Sequence, residues 1–132
     1  MPLIRLTVPD HLPEASVRAL ADAAHHALVA CCGVPWADRF ILITRLPGRD
    51  MLFDPHYPNV TRSADACVVD ITLLGGRTAE QKQRLYQHIA AGAVHAGLRA
   101  DDVMVALTEN TAMDWSLGLG MSFEAANAAH AG

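Results

Sequence analysis

Pro2, Arg77 and Asp38 are the residues of this 132-residue chain whose types suit acid–base or anion-binding chemistry. A small second residue lets methionine aminopeptidase remove Met1, and the mature chain would then begin with the secondary amine of Pro2. A neutral amine near pH 7 is a competent general base for a proton beside a carbonyl. A nearby cation and partial desolvation both lower the pKa of an amine and so favour that form. Many proteins begin Met-Pro without any chemical role, and Pro2 alone decides nothing.

Arg77 follows Gly75 and Gly76 at the end of a predicted strand and precedes a predicted helix. Its guanidinium can therefore reach over the edge of a sheet. Arginine binds a carboxylate through two parallel hydrogen bonds, and here it would also supply a cation near Pro2. The alternative is an ion pair with an acid at the start of the helix, such as Glu80.

Asp38 stands five residues after Gly33, and Asp102 stands five residues after Gly97. Both glycines end predicted helices, so the two aspartates correspond. This correspondence favours a structural role for Asp38, as a cap at the entry to a strand or as a partner of Arg39.

The composition indicates a compact protein, with 52% hydrophobic and 18% charged residues. A net charge of −4 without a run of like charges argues against nucleic acid or an anionic membrane as a partner. No apolar run approaches the roughly 20 residues of a spanning helix, and no basic-then-apolar leader opens the chain. We therefore expect an unexported, cytoplasmic protein.

The cysteines and histidines predict neither a disulfide framework nor a metal site. Cys31 and Cys32 are adjacent and Cys67 leaves an odd number, so buried thiols are expected. His25 and His26 are neighbours on a helix and point in different directions. His88 and His95 are seven residues apart and share a face, but no carboxylate or cysteine completes a ligand set, so we expect ordinary core or surface histidines.

The first half of the chain has the pattern of a β-α-β unit. The alternation of PLIRLTVP predicts a strand over 2–9, and Pro13 and Glu14 begin a helix that Gly33 ends. A second strand follows over 39–46. The helix presents an apolar stripe at spacings of three and four, made of Val17, Leu20, Ala24, Leu28 and Cys31.

The second half repeats the pattern. CVVDITLL predicts a strand over 67–74, Thr78 caps a helix to about Ala96, and Val103–Thr108 forms a closing strand. Residues on or near one face of this helix are Leu85, His88, Ile89, Gly92 and His95. Duplicated β-α-β units predict an α+β fold in which both crossover helices cover one face of a four-stranded sheet. The other face is too apolar for water, so we expect a homo-oligomer that buries it.

The connection between the two halves, Pro47–Asp65, is long, polar and rich in proline and aspartate. Met51–Phe53 within it predicts a short hairpin strand. Loops of this length in a compact domain are often functional. Tyr57 and Arg62 in this loop, and Arg5 in the first strand, could also approach a site.

Several segments agree, in order along nearly the whole chain, with one known group of enzymes. They are MPLIRL at 1–6, GVPWADRF at 33–40, RS at 62–63, GRTAEQKQRLY at 76–86, DVMVALTEN at 102–110 and DWSLGLG at 114–120. The chain resembles the tautomerase superfamily, of the 4-oxalocrotonate tautomerase type, and within it the long-chain branch that includes malonate semialdehyde decarboxylase. This resemblance implies a single domain over 1–132, with halves at about 2–46 and 67–110 and a tail over 111–132.

The resemblance also implies an assembly and roles for the residues. Members have the tautomerase/MIF-like fold, form homotrimers and need no metal or organic cofactor. Pro2 would act as acid or base on a small 2-oxo acid or related carboxylate, Arg77 would hold the carboxylate, and Asp38 would orient Pro2 or activate a water. Trp115 and Leu117 would form an apolar wall over the site, although a tryptophan in a glycine-rich tail is more often simple packing.

One departure from the family pattern bears on the reaction. The decarboxylase prototype has a further arginine where this chain has Gly75, and Leu73, which would line the substrate site, makes this edge apolar with Leu74. The loss favours a smaller or singly anionic substrate. The leading hypothesis is a cofactor-independent tautomerase, an isomerase with Pro2 as general base. The alternatives are a decarboxylase or hydratase at the same site, and a non-catalytic oligomeric binding module.

Overall fold

The computed structural model of the chain describes residues 1–131, with side chains as far as residue 128. Its main elements are β1 Pro2–Pro9, α1 Glu14–Cys32, β2 Ile41–Leu46, β3 Cys67–Leu74, α2 Ala79–His95, β4 Val103–Asn110 and α3 Phe123–Ala131. Single turns of 3-10 helix cover Gly48–Asp50, Ala100–Asp102 and Ala112–Asp114.

The four strands form one sheet in the order β2-β1-β3-β4. β1 is parallel to β2 and β3 is parallel to β4, as a crossover helix within each unit requires. β1 and β3 are antiparallel and join the two units at the centre of the sheet, with Pro2 opposite Leu73. Residues of both helices share one hydrophobic core with one face of the sheet. The predicted α+β arrangement is confirmed.

Local signals determine where the two main helices begin and end. Glu14 lies in the first turn of α1, where the helix dipole favours a carboxylate. Gly33 follows the helix with φ of 67°, and its N–H donates to the carbonyl of Leu28. Thr78 and Gln81 form a reciprocal capping box at the start of α2.

The core lies between the helices and the sheet. All five residues of the predicted α1 stripe are buried. On α2 the buried residues are Leu85, Ile89 and Ala93, whereas His88 and His95 are exposed. These two histidines line a groove of about 360 Å³ between the helices. The helices approach closely at Gly92, where a Cβ atom would lie 2.3 Å from the Cβ of Ala23.

The face of the sheet that points away from the helices is uncovered in the single chain. Leu42 on β2 and Met104 on β4 are 56% and 42% exposed, and Val68 and Leu74 on β3 are half-buried. This is the face for which the sequence predicts burial by other copies of the chain.

Four features differ from the sequence-based expectations. Met51–Phe53 forms no strand, so that prediction is wrong; Met51 and Phe53 are half-buried and line a cavity of about 450 Å³ instead of pairing. β2 begins at Ile41 rather than at residue 39, because Arg39 turns toward α1 and pairs with Asp22. β4 continues to Asn110, which pairs with the end of β3, and the sequence did not predict α3.

None of the helices in the described residues has the length and apolarity that a bilayer crossing requires.

Candidate active site

The start of the chain is buried at one end of the central strand pair, where β1 begins beside the end of β3. Pro2 is buried and lies opposite Leu73, which belongs to the hydrophobic core. Met1 is also buried, and its amino nitrogen lies 2.9 Å from Oδ2 of Asp38. The structure therefore brings the carboxylate of Asp38 next to the nitrogen end of β1.

Asp38 owes its position to the connection between α1 and β2. Its backbone N–H donates to the carbonyl of Pro35, which closes a turn, and the following strand hydrogen-bonds to β1. The predicted alternative, a pair with Arg39, does not form, since Arg39 binds Asp22 on α1. The second carboxylate oxygen of Asp38, Oδ1, is buried and has no hydrogen-bond partner among the described residues.

The corresponding Asp102 has a structural role. It is buried, and its carboxylate accepts hydrogen bonds from the backbone N–H and the hydroxyl of Ser63, at 2.7 and 2.6 Å. These bonds tie the long loop to the start of β4. The two aspartates occupy corresponding places in the repeat but bind different groups.

Arg77 lies just beyond the end of β3, and its side chain reaches the end of α1. Its guanidinium donates to the carbonyl of Leu74 at 2.9 Å and to the carbonyl of Cys32 at 3.1 Å. Cys32 ends α1, where the last four carbonyls of a helix lack partners within it. Among the described residues Arg77 forms no ion pair, so the alternative pair with Glu80 is absent. Its half-buried charge is held at the end of the sheet where Pro2 pairs with Leu73.

The turn at Gly75 and Gly76 holds an acid that sequence reasoning missed. Glu109 accepts a hydrogen bond from the N–H of Gly76 at 3.2 Å and forms an ion pair with Lys82. The hydrogen-bonded Lys82 ammonium lowers the pKa of the Glu109 carboxyl, and the charge of Arg77 adds to this effect. One signal could have indicated this acid: Glu109 is a charged residue in β4, and it pairs with the inward-facing Leu73 of β3. The Lys82 charge is thereby neutralised.

The tail residues Trp115 and Leu117 are placed beyond β4. The indole N–H of Trp115 donates to Oδ1 of Asn110 at 2.6 Å, which holds the ring at the end of β4. Leu117 is exposed and lines a cavity of about 240 Å³ with Leu119 and Met121, among other tail residues. Pro2, Asp38 and Arg77 do not line this cavity, and the wall of Trp115 and Leu117 over the site stays a prediction.

Other predicted neighbours of the site lie elsewhere. Arg5 lines a cavity of about 290 Å³ on the uncovered face of the sheet, together with Asp70. Arg62 donates to the carbonyls of Asp54 and Tyr57 within the long loop.

The three cysteines are buried, as expected. Burial raises the pKa of the Cys67 thiol to about 12. Among the described residues no cluster of three histidine, cysteine or acidic side chains is arranged to hold a metal ion.

Residues 38–118 match the family described as tautomerase enzyme. The chain belongs to the tautomerase family. It is 31% identical over 122 residues to a probable tautomerase of Bacillus subtilis, YusQ, covering 91% of this chain and 95% of that protein.

Solved structures show the same relationship in three dimensions. FG41 malonate semialdehyde decarboxylase, solved with the inhibitor 3-bromopropiolate, superposes on this chain with a TM-score of 0.89 and 32% identity over 96% of each chain. A malonate semialdehyde decarboxylase studied for its decarboxylase and hydratase activities gives 0.87 and 29%, over 95% of this chain and 98% of that one. A fused 4-OT, solved as a symmetric trimer, gives 0.76 and 23%, over 94% and 98%, and shares the fold.

The chain is therefore an enzyme of the tautomerase or the related decarboxylase and hydratase type.

Proposed function

We propose that this protein is a tautomerase that moves a proton on the enol of a small 2-oxo acid, with the amine of Pro2 as general base after removal of Met1. One observation carries the proposal: the amino nitrogen of Met1, one residue before Pro2, lies 2.9 Å from the carboxylate of Asp38. This contact lies at the same end of the sheet as Arg77. Removing Met1 empties the space that its buried side chain fills and exposes the Pro2 nitrogen there.

The unpaired charge of Arg77 supports the choice of an anionic substrate. Two carbonyls orient its guanidinium, and they accept hydrogen bonds without neutralising the charge. A substrate carboxylate could bind the remaining N–H groups in the two-bond geometry that arginine prefers. Gly75 supplies no second cation, and Glu109 neutralises Lys82 nearby, so a singly charged substrate fits this edge better than a doubly charged one.

The proposed reaction needs one base and no net change in protons. The neutral Pro2 nitrogen takes the proton of the enol hydroxyl, the carbonyl forms as the carbon–carbon double bond is lost, and the same nitrogen returns a proton to the adjacent carbon. Asp38 would orient the protonated amine between these steps. Arg77 would hold the carboxylate in place throughout.

The test begins with the mass of the purified protein, which must show that Met1 has been removed. Turnover of phenylenolpyruvate is then compared between wild type and Pro2→Ala, which leaves a primary amine. We expect a loss of about a hundredfold, the contribution of a typical general base. Pro9→Ala, at the other end of β1, is the matched control and should retain activity if folded. Undiminished activity of Pro2→Ala, or a retained Met1 in active enzyme, would contradict the proposal.

A second candidate reaction is favoured by the position of Asp38. A carboxylate beside the amine stabilises its protonated form, which suits a general acid rather than a base. A protonated Pro2 could serve decarboxylation or hydration, with Asp38 managing a water. Titration of the Pro2 nitrogen by NMR separates the two: a pKa near neutrality supports the base, and a value above about 9 supports the acid. Assays with malonate semialdehyde and an acetylenic acid should agree with the titration.

We further propose that the protein works as a homotrimer. The uncovered sheet face exposes Leu42 and Met104, and the fused 4-OT that shares this fold is a symmetric trimer. Light scattering coupled to size-exclusion chromatography should give three times the 14.2 kDa chain mass. A monomer would contradict this proposal, and Met104→Lys should weaken the assembly by placing a charge in an apolar contact.

A further inference from the structure

His25 is a buried polar side chain that the proposed chemistry leaves without a role. It lies in the middle of α1 and is 0% exposed. Its Nε2 lies 2.9 Å from the backbone carbonyl of Trp36. A carbonyl oxygen only accepts, so Nε2 carries a proton and donates this bond. Nδ1 is buried and has no hydrogen-bond partner among the described residues.

The bond from His25 holds the segment that carries Asp38. Trp36 lies two residues before Asp38, in the turn closed by the bond from the Asp38 N–H to the Pro35 carbonyl. The indole ring of Trp36 also meets the ring of His25 edge-on, with centroids 5.1 Å apart. A displacement of the Trp36 carbonyl would therefore move the whole turn and its carboxylate.

A second side-chain anchor between this segment and α1 lies on the surface. Arg39 binds Asp22 of α1, but both side chains are well exposed, and exposed ion pairs hold a backbone weakly. The donor of the bond from His25 is fully buried, and a hydrogen bond made at a less solvated position is stronger. Of these two anchors, His25 therefore determines the distance between α1 and Asp38 more closely.

The unpaired Nδ1 indicates that His25 contributes more than packing. A buried polar atom without a partner destabilises the fold, and a leucine of similar size at this position would avoid it. The hydrogen bond that a leucine could not make is the one to the Trp36 carbonyl.

We propose that His25 is a positioning residue that aligns the carboxylate of Asp38 with the Pro2 nitrogen through its bond to the Trp36 carbonyl. This inference rests on the proposed function. It assigns to His25 no contact with the substrate and no proton transfer. A misplacement of about 1 Å in an active site can cost on the order of a hundredfold in rate.

The experiment compares His25→Leu with His25→Gln, whose amide can donate to the same carbonyl. Both are made in the wild type and in Asp38→Asn, and kcat and KM are measured with phenylenolpyruvate where unfolding curves show each variant to be folded. We expect His25→Leu to lower kcat at least about tenfold with little change in KM, and His25→Gln to stay within about threefold of wild type. In the Asp38→Asn background His25→Leu should cost nothing further, because the carboxylate it positions is gone.

Two controls separate positioning from general loss of stability. Leu28→Ala removes core packing from the same helix without touching the Trp36 carbonyl, and it should leave kcat unchanged while the folded state persists. Hydrogen exchange of the Asp38 backbone N–H should be faster in His25→Leu and unchanged in Leu28→Ala, and this readout does not depend on activity. If His25→Leu does not fold, the His25→Gln variant and its Asp38→Asn double mutant carry the test, since His25→Gln should then keep activity and exchange like the wild type.

The inference fails if His25→Leu matches the wild type, if His25→Gln is impaired as much as His25→Leu, or if the effects of His25→Leu and Asp38→Asn multiply. It also fails if Asp38→Asn retains full activity, since no working carboxylate would then need alignment. The proposed function is judged separately by Pro2→Ala, so either can fail without the other.

Discussion

The close approach of the two helices at Gly92 yields a quantitative prediction for Gly92→Ala. A Cβ atom at this position would lie 2.3 Å from the Cβ of Ala23 and 3.5 Å from its Cα. Carbon atoms in contact normally lie about 3.5–4.0 Å apart, so the helices would have to separate by roughly 1 Å or more. Both atoms are attached directly to the backbone, and no side-chain rotation can relieve the clash.

Two effects of this substitution oppose each other. Alanine in place of glycine within a helix favours folding by about 1 kcal/mol. Overpacking a core contact costs about 1–3 kcal/mol, and a clash between two backbone-borne atoms belongs at or above the upper end of that range. We therefore expect Gly92→Ala to lower the free energy of unfolding by about 2 kcal/mol.

The matched partner variant is Ala23→Gly, which removes the opposing Cβ. Alone it should cost about 1 kcal/mol through helix propensity. In the double mutant the methyl group introduced at position 92 meets the Cα of residue 23 at 3.5 Å, an ordinary contact. The double mutant should therefore be within about 1 kcal/mol of the wild type, with a coupling energy of about 2–3 kcal/mol between the two sites.

The assay is urea unfolding followed by circular dichroism, at one protein concentration because association also stabilises the fold. A Gly92→Ala variant as stable as the wild type would refute the reasoning. So would strictly additive effects of the two substitutions, because the steric contact would then not be the cause. Since α1 carries the Cys32 carbonyl that orients Arg77, the single variant should also raise KM for an anionic substrate.

Two further predictions concern buried groups in the second half of the chain. Asp102→Ala should lower the free energy of unfolding by about 2–4 kcal/mol in the urea assay, because the backbone N–H and the hydroxyl of Ser63 lose their acceptor. A loss below about 1 kcal/mol would contradict the structural role of Asp102. Cys67, whose thiol pKa burial raises to about 12, should resist iodoacetamide at pH 8.5 in the native protein and react in guanidinium. The pKa of this thiol is higher in the folded than in the unfolded protein, so the stability that the neutral thiol contributes is complete below about pH 9 and is lost as the pH rises toward 12. An increase in the free energy of unfolding over that range would contradict the assignment.

The sequence predicted the fold well because its signals are local and agree with one another. Alternation placed β1, and the largely apolar run CVVDITLL placed β3, which has the predicted bounds of residues 67 and 74. The capping box at Thr78 and the left-handed Gly33 placed the two helix ends that face the candidate site. The register of β1 against β3 then placed Pro2 beside the end of β3, the strand that Arg77 follows in sequence.

The errors arise where a partner far along the chain decides the structure. The apolar run at Met51–Phe53 looks like a strand, but its side chains pack into a cavity beside the loop rather than pairing. The alternative pair of Arg77 with Glu80 does not form, because two backbone carbonyls orient the guanidinium, and the binding of a substrate carboxylate by Arg77 stays a prediction. The pairing of Lys82 with Glu109 joins a helix residue and a strand residue that no spacing rule connects.

The two corresponding aspartates show what differs between the two units of the repeat. Asp102 faces the backbone and hydroxyl of Ser63, in the polypeptide that leads into β3. Asp38 faces the amino nitrogen of the first residue, and its Oδ1 has no hydrogen-bond partner among the described residues. Strand β3 has no amino terminus to offer, because its start is continuous with the residues before it. A free amino end is thus a structural feature that duplication does not copy, and a fused pair of units offers one terminal nitrogen where two separate units would offer two.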